Sequence, residues 1–231
     1  MGKAIEEIAL KAGHEIVLKI SSDNMAELTA RNLQQADVAI EFTNPHNAVN
    51  NLKKCLEAGV PVVCGSTGWL EHWEEIKNYC EEKKGALLYA SNFSIGVNIL
   101  FELNRHLARI MSPHNEYSVS IEETHHTEKK DAPSGTAITL AEGILQEIPL
   151  IENWVAGPAK NNLQLGILSH RIDPAPGTHL IRYESDIDSI EIKHTAHNRS
   201  GFAQGAVAAA IFLKDKQGIF TMKDVLAGSL S

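Results

Sequence analysis

Residues 125–137 read HHTEKKDAPSGTA, and apolar residues at helical spacing follow directly from Ile138 to Leu145. Pro133 prevents a helix from entering from the N-terminal side, so the small residues behind it begin the next helix. The free amides and the positive dipole end of that helix predict a seat for an anion. Lys129 and the two histidines add cationic donors. The stretch indicates a small, multiply anionic substrate beside a proton donor, or more simply a polar surface loop that caps a helix.

A longer window, ETHHTEKKDAPSGTA at 123–137, resembles the long motif of the dihydrodipicolinate reductase family. The likeness continues, in the same order and spacing, through EFTNP at 41–45, GSTG at 65–68 and ASNFSIGVN at 90–98. The resemblance implies an NAD(P)H-dependent oxidoreductase of lysine and diaminopimelate biosynthesis. Its substrate would be 4-hydroxy-tetrahydrodipicolinate, reduced by way of dihydrodipicolinate to tetrahydrodipicolinate.

Two other functions stay open on the same scaffold. One is a catalytically impaired protein that only binds a dicarboxylate, and the other is a nicotinamide reductase of a different anionic substrate. The DAPSGTA segment argues against the second, and the presence of His125, His126 and Lys129 argues against the first.

Composition narrows the class of protein. The chain has 231 residues, a formal net charge of −8 and a pI near 5.8, which argue against nucleic acid or an anionic membrane as partner. No apolar run approaches the roughly 20 residues that span a bilayer. Cys55, Cys64 and Cys80 lack C-x-x-C spacing, so we expect reduced, mostly buried thiols in a cytoplasmic protein.

The two halves of the chain differ in their patterns. In the first half short apolar runs alternate with helical segments, which predicts a Rossmann-like parallel α/β sheet. The second half predicts an α+β domain with a mostly antiparallel sheet. The predicted strands are 15–20, 38–42, 60–64, 87–90, 117–123, 165–172, 177–184 and 189–194, and the predicted helices include 5–12, 48–58, 69–82 and 203–213.

The family resemblance assigns a task to each part. Residues 1–94 and 201–231 would form the dinucleotide-binding domain. Residues 95–200 would bind the cyclic dicarboxylate substrate and assemble a homotetramer.

The chain opens directly into a helical pattern at Met1-Gly2-Lys3-Ala4. Gly2 matches the last glycine of the family's nucleotide fingerprint, whereas the first strand and the earlier glycines have no counterpart. Either the natural protein is longer and Met1 is internal, or the chain begins here and has lost part of its cofactor contacts. For the sequence as it stands we expect an incomplete nucleotide domain that binds nucleotide weakly.

The other expected cofactor contacts follow predicted strands, where ligands collect in open α/β sheets. An acid that would bind the ribose 2′-hydroxyl appears only at Asp23, and Lys19 with two serines would tolerate a 2′-phosphate, so NADH and NADPH both stay open. The expected cofactor-binding residues are Gly2, Phe42, Thr43, Gly65, Ser66, Thr67, Ala90, Ser91, Asn92 and Phe93.

By resemblance, His125 is the acid/base residue and Lys129 the proton donor. We expect no metal, because the adjacent histidines point apart on a strand and do not converge with Glu128. Arg199 is a candidate substrate contact, with a salt bridge or a helix start as the alternative. The expected substrate-binding residues are His126, Ser134, Gly135, Thr136 and Arg199.

Overall fold

The computed structural model describes residues 1–198 and 200–228, and the chain divides into two compact units. The first unit comprises Met1–Ile95 and Ser200–Ser231, and the second comprises Gly96–Arg199. Each has its own sheet and its own buried apolar residues.

Helices and strands are numbered in chain order. The helices are α1 (Gly2–Lys11), α2 (Ala30–Leu33), α3 (Pro45–Glu57), α4 (Trp73–Glu82), α5 (Ile95–Met111), α6 (Gly135–Glu147), α7 (Ser200–Leu213) and α8 (Met222–Gly228). The strands are β1 (Ala39–Glu41), β2 (Val62–Cys64), β3 (Ala86–Tyr89), β4 (Ser118–His125), β5 (Asn153–Ala156), β6 (Gln164–Arg171), β7 (Thr178–Glu184), β8 (Ser189–Thr195) and β9 (Gly218–Phe220).

The sheet of the first unit is parallel throughout and has the order β1-β2-β3-β9. Its strand β2 is fully buried, and successive side chains enter different apolar clusters because they point to opposite faces. Val62 packs with Leu52 of α3, and Val63 packs with Ala206 of α7. Helices therefore cover both faces, which leaves the ends of the strands for ligand contacts.

The second unit holds a mixed sheet of order β5-β6-β4-β7-β8. The antiparallel pairs β4–β7 and β7–β8 join seven residue pairs each, whereas the parallel pairs β4–β6 and β5–β6 join six and four. Helices α5 and α6 pack on this sheet, with Leu100 and Leu140 in one cluster with Ile121 and Ile181. The predicted fold class, a Rossmann-like parallel sheet plus an α+β unit with a mostly antiparallel sheet, is confirmed.

The predicted strand at 15–20 is wrong. Residues 14–20 form no strand, and the apolar side chains of Ile16 and Val17 are 36% and 40% exposed. A strand needs a hydrogen-bonded neighbour, and in the described chain the outer edge of β1 is not paired with this segment. The apolar pattern of residues 15–20 is therefore not sufficient to form a strand.

Five elements were not predicted: α2, α5, α8, β5 and β9. Strands β5 and β9 have four and three residues, and neither fully buries a side chain, so they lack the buried apolar run that identified the equally short β2 and β3. Helix α5 does bury residues at helical spacing, from Val97 through Leu100 to Ala108, but the buried polar Asn104 interrupts the apolar stripe. The Asn104 Nδ2 donates to the Leu140 carbonyl oxygen at 3.0 Å, which gives this buried donor a partner inside the core.

The three cysteines are free and buried, as predicted. Among the described residues, no helix combines the length and the apolar character needed to cross a bilayer.

Glycines 201 and 205 give a matched test of packing within α7. A Cβ at position 205 would lie 1.6 Å from the backbone oxygen of Phe93, whereas one at position 201 would meet only Ser94 Oγ at 3.6 Å. Because backbone cannot move as a flexible side chain does, Gly205→Ala should destabilise the first unit by about 3 kcal/mol. Thermal unfolding followed by circular dichroism should register a fall of roughly 6–12 °C.

Gly201→Ala is the control for this substitution. It should be neutral or should stabilise by up to about 1 kcal/mol, since alanine is the better helix former. Equal melting temperatures for the two variants would contradict the close approach of α7 to Phe93.

Candidate functional site

Strand β4 directs alternate side chains into the second unit, so Ile121, Glu123 and His125 are buried in succession. His125 ends the strand. Its ring lies edge-on to that of His179, with centroids 5.2 Å apart. A Cβ on Gly177, whose φ is +153°, would come within 3.1 Å of His125 Nε2, so glycine leaves room for the imidazole.

Glu123 is the buried charge of this site, with a side chain that is 0% exposed. Its Oε1 accepts hydrogen bonds from the Ser134 amide and from Arg171 Nη2, both at 3.1 Å. Its Oε2 lies 3.1 Å from His125 Nδ1, an ion-pair distance at which the ring N–H is not aligned for a hydrogen bond. Burial acts to raise the pKa of Glu123, but the donors around the carboxylate outweigh it and hold that pKa well below its ordinary value.

His179 lies on β7, opposite Glu123 in the antiparallel register. Its Nε2 is 3.2 Å from Ser134 Oγ and 3.9 Å from Glu123 Oε2. Burial lowers the pKa of His179 to about 4, and the neighbouring His125 adds to the effect. The ring is therefore neutral near pH 7.

Lys129 is held by its own loop. Its ammonium donates to both carboxylate oxygens of Asp131 at 2.8 Å, and this pairing lowers the pKa of Asp131. Arg171 binds the same loop through its backbone, since the guanidinium donates to the carbonyl oxygens of Lys129 at 3.3 Å and Asp131 at 2.6 Å.

The predicted anion seat begins at Ser134, the N-cap of α6. Its hydroxyl accepts from the Ala137 amide at 3.2 Å, and its own amide donates to Glu123. Ser134 thus anchors the helix start within the protein. Gly135 is exposed and a Cβ built on it meets nothing within 4 Å, whereas Thr136 is partly buried in the same turn.

His126 follows the end of β4 and is only partly buried, whereas His125 is buried. It lines an open cavity with Thr127, Glu128 and Asp173, and the last of these accepts the Thr127 amide at 3.1 Å.

Glu123, His125 and His179 bring ligand-type atoms within 4.8 Å of one another, which is the spacing of a cation site. The Arg171 guanidinium already pairs with that carboxylate, and its positive charge opposes a metal ion. The absence of a metal stays a prediction.

In the first unit, five of the predicted cofactor residues come together where β1, β2 and β3 end. The Thr43 amide donates to Ser66 Oγ at 2.8 Å, and the rings of Phe42 and Phe93 are 5.3 Å apart. A Cβ on Gly65 would lie 2.2 Å from the Phe42 ring, so only glycine fits beside it.

Glu41 supports these strand ends and is 6% exposed. It accepts the Thr43 amide at 3.0 Å, the Thr43 hydroxyl, and the Cys64 thiol at 3.3 Å. Burial, together with the Glu41 charge, raises the pKa of Cys64, so the thiol keeps the proton it donates.

The other residues predicted to bind cofactor or substrate lie outside this group. Thr67 follows Ser66 directly, and Ala90, Ser91 and Asn92 lead from β3 toward Phe93, with Asn92 Oδ1 accepting the Ser94 amide at 2.9 Å. Gly2 begins α1. Arg199 lies outside the described residues.

The sequence patterns did not indicate Glu123, Arg171 or His179 as parts of this site. Glu123 had a local signal, because it stands two residues before His125 and so shares a strand face with it. The other two are placed by strand register, with Arg171 opposite His125 on β6, and register is a long-range property.

Comparisons with known proteins cover nearly the whole chain. The family model described as Dihydrodipicolinate reductase, N-terminus, matches residues 1–93, and the one described as Dihydrodipicolinate reductase, C-terminus, matches residues 96–226.

Curated relatives share one name, 4-hydroxy-tetrahydrodipicolinate reductase. The protein of Christiangramia forsetii is 48% identical over 227 residues, which cover 98% of this chain and 94% of the relative. That of Neisseria meningitidis serogroup B is 33% identical over 231 residues, which cover 96% and 83%. These names do not favour the alternative functions considered above.

Two solved structures resemble the fold. The dipicolinate-bound dihydrodipicolinate reductase from Paenisporosarcina sp. TG-14 matches with a TM-score of 0.68 and 23% identity, covering 88% of this chain and 80% of that one. The amine dehydrogenase from Mycobacterium smegmatis matches with a TM-score of 0.59 and 12% identity, covering 96% and 92%.

The pKa of His179 predicts how stability depends on pH. An imidazole in the unfolded chain titrates near 6.5, and His179 in the folded chain near 4. Between these values the unfolded state binds the proton and the folded state does not. The contribution of neutral His179 to the free energy of unfolding is therefore complete above pH 6.5. It falls by about 3 kcal/mol as the pH decreases from 6.5 to 4.

Urea unfolding at several pH values from 4.5 to 7.5 checks this expectation. His179→Gln should flatten the dependence, while His114→Gln, at an exposed position, should leave it unchanged. The same pH slope in His179→Gln as in the wild type would refute the buried, neutral imidazole.

Proposed function

This chain belongs to the dihydrodipicolinate reductase family, so it is an oxidoreductase that reduces 4-hydroxy-tetrahydrodipicolinate, and we propose that the residues around His125 carry out the reaction. The family places this step in lysine and diaminopimelate biosynthesis. The reductant is a reduced pyridine nucleotide, either NADH or NADPH.

One observation supports the proposal above the others: a single segment, 123–137, carries an oriented imidazole, a held ammonium and a helix N-terminus. The Glu123 carboxylate contacts two of these parts directly, through His125 Nδ1 and the Ser134 amide. Proton donors next to an anion seat suit a dicarboxylate that must gain a proton.

When bound, the reduced nicotinamide supplies a hydride to ring carbon 4 of the dehydrated substrate. The adjacent carbon then takes a proton, which balances the added charge. We assign that proton to His125 and Lys129. Because His125 Nδ1 faces Glu123, Nε2 is the atom left to handle it.

The two substrate carboxylates need separate sites. One fits the amides of Gly135 and Thr136 at the start of α6, where the helix dipole favours an anion. The other fits His126 and Lys129. Ser134 contributes by capping the helix that presents the amides, and Arg199 is a further candidate contact.

The first unit suits a nucleotide. Ligands bind at the ends of parallel strands such as those of its sheet. Gly65 has no Cβ to fill the space beside the Phe42 ring, and the hydroxyls of Thr43 and Ser66 lie next to it. Thr67, Ala90, Ser91, Asn92 and Gly2 are the other proposed contacts. Lys19 pairs with Glu6 at 2.9 Å and would have to leave it to bind a 2′-phosphate. Steady-state rates with NADH and NADPH decide the preference.

We place the substrate and the assembly surface in the second unit and propose a cytoplasmic homotetramer. Helix α5 supports assembly, because Ile99, Leu103 and Ile110 are 44%, 50% and 52% exposed. Light scattering on the purified protein tests the number of subunits.

Proton transfer gives the first test of this proposal. In assays with freshly generated substrate and saturating nucleotide, His125→Ala or Lys129→Met should cut turnover by a factor of about 10²–10⁴. Nucleotide affinity, measured by titration calorimetry, should not change. The neighbouring Lys130→Met is the matched control and should retain turnover. Near-normal turnover in either test variant would exclude that residue from the proton step.

The anion seat gives a second test, which needs no turnover. Pyridine-2,6-dicarboxylate at about 100 times its Kd should stabilise the folded chain by about 2.7 kcal/mol. A Lys129→Met, Thr136→Val variant should lose most of this thermal protection. Thr139→Val, one turn further along α6, is the control, since its hydroxyl binds the Gly135 carbonyl within the helix at 3.0 Å. Full protection in the double variant would place the seat elsewhere.

A further inference from the structure

Arg171 belongs to none of the sequence motifs, yet it contacts several residues of the site. Its guanidinium donates to the carbonyl oxygens of Lys129 at 3.3 Å, Asp131 at 2.6 Å and His170 at 2.8 Å. A fourth bond, at 3.1 Å, goes to Glu123 Oε1. A guanidinium offers five N–H donors in a rigid fork, so one side chain serves both a carboxylate and the backbone of a loop.

The carboxylate of Glu123, the partner of Arg171, also contacts other residues of the site. Glu123 accepts the Ser134 amide at the start of α6 and lies 3.1 Å from His125 Nδ1. The backbone strengthens the link, because Ile172 donates its amide to the His125 carbonyl oxygen at 2.8 Å and Arg171 is the register partner of His125.

We propose that Arg171 and Glu123 are a pair of positioning residues that hold the proton donors and the anion seat in one geometry. Arg171 sets the backbone of the loop that carries Lys129, and Glu123 sets His125 and the first turn of α6. The inference rests on the proposed function, in which those groups meet the substrate. Neither positioning residue needs to touch the substrate itself.

Charge alone does not explain the arrangement. A lysine at position 171 would keep the positive charge beside Glu123, but its single ammonium could not also reach the carbonyl oxygens of Lys129 and Asp131 with the geometry of a fork. Arg171→Lys therefore separates positioning from charge neutralisation.

The matched control is Arg109, which also pairs with a glutamate in the second unit. Its Nε and Nη2 donate to the two carboxylate oxygens of Glu147 at 2.9 and 2.7 Å, between α5 and α6 and away from the loop. Arg109→Lys makes the same chemical change and should leave the kinetic constants as in the wild type.

Kinetics of the full chain form the first arm of the test. Arg171→Lys should lower kcat by roughly 10- to 100-fold, because misplaced proton donors slow the step that needs them. The KM for nucleotide should stay within about twofold. The solvent deuterium isotope effect on kcat should rise as proton transfer becomes limiting. A kcat within twofold of the wild type, or an unchanged isotope effect, would overturn the inference.

Amide hydrogen exchange forms the second arm and needs no activity. Peptides covering residues 127–134 should exchange faster in Arg171→Lys, because the carbonyl bonds that hold the loop are lost. They should exchange at the wild-type rate in Arg109→Lys. If exchange in Arg171→Lys is unchanged, Arg171 does not hold the loop, and this result does not depend on activity. If the wild type is inactive but exchange still rises in Arg171→Lys, only the proposed function is contradicted.

A double variant guards against misfolding of single ones. Glu123→Gln with Arg171→Met leaves neither charge of the pair buried without its partner, so the double variant should fold even where a lone substitution fails to. It should remain slow, with kcat reduced at least tenfold. Recovery of wild-type kcat in this neutral pair would show that the ion pair positions nothing.

Discussion

A carboxylate with no access to solvent, Glu123, is the constraint on which the site of the second unit depends. Removing such a charge from water costs several kcal/mol unless neighbouring groups replace the lost hydration. The Ser134 amide and the Arg171 guanidinium do so, and each has a second task. Ser134 caps α6, and Arg171 binds the loop that carries Lys129. Satisfying one buried charge therefore fixes a helix start, a loop and an imidazole together.

The first unit meets a comparable constraint with Glu41. This buried acid ends β1 and accepts the amide and the hydroxyl of Thr43, while the thiol of Cys64 donates to its second oxygen. In each unit the acid binds a side chain that ends a neighbouring strand, Cys64 of β2 or Arg171 of β6. Internal hydrogen bonds thus order these segments before a ligand binds, which lowers the entropy cost of binding.

Local features of the site were predictable, and long-range ones were not. Pro133 and the residues after it correctly located the start of α6, because helix starts are encoded within a few residues. His179 and Arg171 reach the site only through their register with β4, and a slip of one residue would turn either side chain to the other face. The mistaken strand at 15–20 has the same origin, since its local pattern was suitable but no strand among the described residues pairs with it.

In the proposed function, the two cations of the site divide their work according to their chemistry. Lys129 directs its ammonium to both oxygens of Asp131, and an ammonium has three donors, so one more remains for a substrate carboxylate. An amine can also release a proton and take it back, which a guanidinium does not do near neutral pH. Arg171 uses the property that lysine lacks, a planar fork that binds a carboxylate and several carbonyl groups at once. Exchanging the two residues would preserve the charge of the site and lose both proposed roles, because the role proposed for Lys129 requires a proton that moves and the role proposed for Arg171 requires a fixed geometry.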